Sequence, residues 1–245
     1  MKAGSIKEHL KLSFIYTAAA AFTPVLQVLI QPVYEGKDKL GAVDFSQLAI
    51  TELFTSLVFA IALFGMGNAI ARFYYDHEPG SPTYHRMVSG IFSSILIRGL
   101  IIAAVAWALS DYIGLLFNQP QLRNFSDYGV ACVVTGLGRA VNITAAALFR
   151  NEKKILSFIL VSMGLGVFRT GFQLIGLFYF DMSFIGYING SAIGTAIITL
   201  MILIQVYRKS GISYDRKLMK EINRFAIPLT QYSVIVWALT YADRF

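Results

Sequence analysis

The chain has 245 residues, 56% of them hydrophobic and only 14% charged, and a mean hydropathy of +0.60. Its apolar residues come in runs too long for a soluble core, which excludes a soluble globular domain. The net charge of +7 would suit nucleic acid if the basic residues formed a patch, but most of them lie in loops on one side of the apolar runs, and nucleic-acid binding is not expected on that ground.

Seven apolar runs, about residues 12–33, 45–71, 87–109, 128–149, 155–180, 182–207 and 225–245, reach the roughly 20 residues a helix needs to cross ~30 Å of hydrocarbon. The predicted fold class is therefore an all-α integral membrane bundle. In the first run, Lys2, Lys7 and Lys11 followed by small residues resemble a secretory signal, but apolar character continues past Ala21 to Val33 and predicts an uncleaved span. Ser13, Thr17, Ala20, Pro24, Gln27 and Gln31 recur at helical spacing as one polar stripe. Pro24 removes a helical hydrogen bond in mid-span and predicts a bend, either a static kink or a hinge for a moving gate.

The second run carries Glu52, and the polar segment after it holds Asp76, His77, Glu78 and His85 without metal-ligand spacing. No metal site and no cofactor are expected. The third, fourth and fifth runs each place one arginine near mid-bilayer: Arg98, Arg139 and Arg169. Thr135 and Asn142 share the face of Arg139; Ser162, Gly166 and Gln173 share that of Arg169. Cys132 is the single cysteine, so an internal disulfide is excluded. In the sixth run Gly186, Gly190 and Gly194 predict a close helix crossing.

Residues 208–224 form a basic linker in which Tyr214, Leu218, Ile222 and Phe225 oppose Arg216, Lys217, Lys220 and Arg224. That pattern predicts a helix lying on the cytoplasmic membrane surface against anionic lipid, with a calmodulin-like target helix as the alternative. The last run closes on Asp243-Arg244-Phe245 with no flanking loop. The expectation is a complete six-helix lobe over 1–207, the linker over 208–224, and over 225–245 the first helix of a second lobe, cut short.

With a cytoplasmic N-terminus, fourteen of the 21 Lys and Arg fall on inside segments, three (Lys37, Lys39 and Arg123) fall outside, and Arg98, Arg139, Arg169 and Arg244 lie within spans. This asymmetry follows the positive-inside rule and sets the orientation. A central arginine costs about 2.5–3.5 kcal/mol on insertion scales, so such side chains face a bundle interior or a wet cavity. Glu52 and Asp243 are the acids available to pair with the four cations. Pairing alone would hold the bundle together but leaves positive charge in excess, which suits an anionic ligand; guanidinium binds phosphate at two points and does not deprotonate.

Three segments together resemble polysaccharide flippases of the O-antigen type, in the multidrug/oligosaccharidyl-lipid/polysaccharide exporter superfamily. They are "GMGNAIARFYYDH" (Gly65 to His77), "LFRNEKKILSF" (Leu148 to Phe158) and "FAIPLTQYSVIVWALTYADRF" (Phe225 to Phe245). The resemblance implies two six-helix lobes around a cationic cavity and a substrate of undecaprenyl-pyrophosphate-linked oligosaccharide, moved from the inner to the outer leaflet of the cell inner membrane. It implies Arg98, Arg139, Arg169 and Arg244 as substrate-binding candidates, Glu52 and Asp243 as candidates for ion coupling, and no catalytic residue. Membrane lipids and other polysaccharide-assembly membrane proteins are the expected partners. A peptidoglycan-precursor flippase and a multidrug exporter of the same superfamily are the alternatives. A membrane-embedded sugar polymerase or acyltransferase would need a long catalytic outer loop or a His/Asp pair at a membrane face.

Overall fold

The computed structural model describes residues 3–35, 40–115, 120–180 and 183–241, with the side chains of 3–9 and 121 outside the description. The described residues form helices and turns, without a β-strand. The helices are α1 (Ala3–Tyr34), α2 (Ala42–Leu63), α3 (Met66–Phe73), α4 (Pro82–Ala108), α5 (Ser110–Leu115), α6 (Pro120–Arg123), α7 (Gly129–Asn151), α8 (Ile155–Ile175), α9 (Phe184–Ser210) and α10 (Arg216–Tyr241). Among the described residues, six helical segments are long and apolar enough to cross a membrane: residues 10–34, 42–76, 82–108, 129–151, 155–180 and 184–210.

Helix ends follow local chemistry. Asp44 Oδ2 accepts the Gly41 N–H at 3.0 Å ahead of α2, and Ser81 Oγ accepts the Tyr84 N–H at 3.2 Å with Pro82 opening α4. Where sequence predicted one span over 45–71, the structure breaks it: Phe64 and Gly65 are left-handed, with φ of 47° and 66°, and α3 restarts at Met66. Gly65 also lies against α10, where a Cβ would sit 3.0 Å from the Ala226 carbonyl oxygen, so a side chain would meet both strain and backbone.

α7 is the central helix and packs against α2, α3, α4, α8 and α9. Small residues permit this: a Cβ on Gly136 would lie 2.6 Å from the Thr55 carbonyl oxygen. The glycine repeat of the sixth span makes the close crossing expected of it, since a methyl group on Gly190 or Gly194 would overlap the carbonyl of Phe172 or Phe168 on α8. α1 packs on α8 through the Tyr16–Phe158 edge-to-face pair and through Gln27 Nε2, which donates to Thr170 Oγ1 at 2.7 Å. Ser13, Thr17, Ala20, Pro24 and Gln31 lie exposed, so the polar stripe borders the open side of the bundle. The helix continues unbroken through Pro24.

The linker differs from the sequence expectation. Gly211 ends α9 with φ of 69°, and α10 then runs as one helix from Arg216 through the start of the seventh apolar run. Its buried stripe is Met219, Ile222, Ala226 and Thr230, packed on α2, α3 and α4, while Tyr214 and Phe225 are exposed. Met219 and Ile222 continue the stripe of the span at helical spacing, so the apolar face of the basic segment is buried against the bundle.

Candidate functional site

Glu52 on α2, Arg139 on α7 and Arg169 on α8 converge in the interior of the bundle. Arg139 donates Nη1 to Glu52 Oε1 and Nη2 to Glu52 Oε2, the second at 2.9 Å, a two-point ion pair between facing helices. The Glu52 side chain is 41% exposed and that of Arg139 20%, so the pair is reached from the open side. Beside it, a cavity of about 360 Å³ is lined by Glu52, Thr135, Arg169, Tyr187 and Ser191, among others.

Arg169 is held differently. Its Nε donates to Ser191 Oγ at 2.8 Å, and among the described residues that is its one hydrogen bond. No described acid forms an ion pair with it, so its terminal nitrogens remain available to the cavity. Below it, Gln27, Thr170, Gln173 and Tyr187 form a hydrogen-bonded network joining α1, α8 and α9: Gln27 Nε2 donates to Gln173 Oε1 at 3.1 Å, and Tyr187 Oη donates to Gln27 Oε1 at 3.3 Å. Among the described residues the ionic groups here are two cations and one acid, an excess of one positive charge.

Arg98 is elsewhere. Its Nε donates to the Ala62 carbonyl at 3.3 Å and its guanidinium stacks 4.5 Å from the centre of the Phe64 ring. Ala62 stands at the end of α2, where the break leaves carbonyls without helical partners, so Arg98 caps the broken helix. The structure thus brings together Arg139, Arg169 and Glu52, and separates Arg98 from them. Arg244 and Asp243 lie outside the described residues. Pro24 is exposed on α1, on the open side of the bundle.

A second cavity, of about 520 Å³, opens toward the end of the bundle that carries Arg150. Thr23, Asn68, Asn142, Arg150 and Ser162 supply its polar lining, with Phe158 among its apolar walls. Asn142 was visible in sequence as a neighbour of Arg139. Asn68 was not, because the Phe64–Gly65 break reorients α3 so that this residue lines a cavity shared with α7 and α8; Gly65 was the local signal. Arg150 closes the last turn of α7.

At that same end, Glu152 joins three elements. Its carboxylate accepts from Tyr84 Oη at 2.6 Å and from Lys209 Nζ at 2.6 Å, and Lys154 Nζ lies 2.6 Å from Oε2. Burial pushes its carboxyl up, but the hydrogen bonds from Lys154, Lys209 and Tyr84 outweigh it, and the net displacement is downward. Among the described residues no group of three His, Cys, Asp or Glu gathers for a metal.

The profile of one family, described as polysaccharide biosynthesis protein, matches residues 80–245, about two thirds of the chain. No curated protein and no solved structure matches. A match of that extent, over a bundle of membrane-crossing helices, means that the chain belongs to the polysaccharide biosynthesis protein family and is a multi-pass membrane protein of transporter-like kind.

Proposed function

We propose that this chain moves undecaprenyl-diphosphate-linked oligosaccharide units from the inner to the outer leaflet of the cell inner membrane, with its N-terminus cytoplasmic. The observation that carries the reading is Arg169: a guanidinium inside a membrane bundle, held at Nε by Ser191, with no described acid paired to it and a cavity in front of it. A diphosphate supplies the missing negative charge, and the two-point geometry of guanidinium favours phosphate oxygens. Family membership supports polysaccharide precursors as the cargo class.

Arg139 is already paired at two points with Glu52, so in this scheme a ligand that recruits its charge displaces the carboxylate. Glu52 then takes up a proton or a cation, which makes it the coupling residue of this scheme. The polyprenyl tail stays in lipid while a second lobe faces the open side along α1 and α2, and rocking of the lobes exposes the cavity alternately. An exporter of cationic drugs would want an acidic cavity, and the positive excess opposes it.

The experiment is transport of a fluorescent lipid-linked oligosaccharide by proteoliposomes containing the protein as it occurs in the cell. Arg169→Gln is expected to reduce the rate at least tenfold with the melting temperature preserved. Undiminished transport by the Arg139→Gln/Arg169→Gln double variant overturns the proposal.

A further inference from the structure

We infer that the second cavity, between α1, α3, α7 and α8, is a carbohydrate subsite that holds the sugar part of the substrate while the arginine cavity holds the diphosphate. The inference rests on the proposed lipid-linked oligosaccharide as cargo and adds a separate site for its uncharged portion.

The cavity's volume of about 520 Å³ lies within the ~300–1,000 Å³ typical of small-molecule sites. Its lining contains no Asp or Glu among the described residues, so it does not suit a cation, and its one cation, Arg150, is exposed at the helix end rather than central. What remains is uncharged hydrogen-bonding capacity. Asn142 is buried and donates Nδ2 to the Val161 carbonyl at 3.0 Å, which leaves Oδ1 as an acceptor. The Asn68 amide makes no side-chain hydrogen bond among the described residues and is exposed to the cavity, offering both donor and acceptor. Thr23 Oγ1 donates to the Ser162 carbonyl at 3.1 Å and keeps its lone pairs. Amides and hydroxyls in front of an aromatic and aliphatic wall match a pyranose, which has polar edges and apolar C–H faces.

The two cavities are consecutive along one helix. Thr135 lines the first, Asn142 lines the second, and Arg139 stands between them on the same face of α7. Thr135 and Asn142 are two turns apart, about 10 Å along the axis. A diphosphate bound between Arg139 and Arg169 therefore places its first sugar at the mouth of the second cavity.

The test compares two probes on the purified protein in nanodiscs: bare undecaprenyl diphosphate, and the same lipid bearing a neutral trisaccharide. Wild type is expected to bind the trisaccharide lipid about tenfold more tightly or better, the effect of a few net hydrogen bonds. Asn68→Ala/Ser162→Ala removes open side-chain groups without touching a described side-chain bond, and is expected to bring the two affinities within about twofold while bare-lipid affinity holds. Asn142→Leu is expected to act in the same direction, with its melting temperature measured alongside. Equal affinity of wild type for the two probes, or an unchanged ratio in the double variant, overturns the subsite. Arg169→Gln is expected to weaken both probes equally; failure of wild type to bind either probe, or affinities that this variant leaves unchanged, overturns the diphosphate reading beneath it, whereas Arg169-dependent binding with equal affinity for the two probes overturns the subsite alone.

Discussion

Arg139 on α7 gives both terminal guanidinium nitrogens to the Glu52 carboxylate on α2, so the cation beside the cavity begins occupied. The neighbouring Arg169 on α8 has a serine in that place. The two arginines therefore differ in readiness although they look alike in sequence. Arg169 meets a ligand without losing a partner, whereas Arg139 must exchange one anion for another.

That difference predicts what neutralising the acid does. Glu52→Gln leaves Arg139 charged and half-satisfied, and the pair is partly exposed, so the stability loss should fall between surface and buried pairs, about 1–2 kcal/mol. Pyrophosphate affinity should rise, because Arg139 no longer has to release a carboxylate. Thermal unfolding in detergent together with pyrophosphate titration checks both signs; weaker pyrophosphate binding in this variant would refute the exchange.

Arg98 and Arg169 should fail in opposite ways. Arg98→Met removes the cap on the Ala62 carbonyl and the contact with Phe64, and is expected to cost about 1–2 kcal/mol of stability while leaving pyrophosphate affinity unchanged. Arg169→Gln should lower affinity and leave the melting temperature within a few degrees, since Ser191 is its one described hydrogen-bond partner. A melting curve and a binding isotherm for each variant decide the assignment.

The α8–α9 crossing offers a contrast between two glycines. At Gly190 a methyl group overlaps the Phe172 carbonyl, a backbone atom that cannot turn away, so Gly190→Ala should destabilise by about 2–3 kcal/mol. At Gly171 nothing lies within 4 Å of the place a methyl group would take, and Gly171→Ala should be neutral or stabilise by up to about 1 kcal/mol through helix propensity. Comparative unfolding of the two single variants measures the difference.

Glu152 sets an acid limit. Its carboxyl is held below the ordinary value of 4.5 in the folded chain, so the folded state binds its proton less readily than the unfolded one. The stabilisation is fully present above the unfolded value and is lost as pH falls through the lowered folded value. Stability measured from pH 6 to pH 3 should therefore decline more steeply for wild type than for Glu152→Gln, which should also be less stable at pH 6. Identical slopes would assign the acid sensitivity to other groups.

The sequence by itself determined the membrane class, the approximate limits of six helices long and apolar enough to cross, and the tight glycine crossing. These follow from length, hydropathy and spacing, which are properties of single helices. It placed Arg98, Arg139 and Arg169 in one set because position along an apolar run is all that a single span discloses. Only the tertiary structure decided which of them meet. Helix rotation and neighbour identity come from packing across the bundle, and the break at Phe64–Gly65 gave Arg98 a carbonyl to cap while turning Asn68 toward α7. The same packing continued α10 through the basic segment, because Met219 and Ile222 bury against the bundle in register with Ala226 and Thr230.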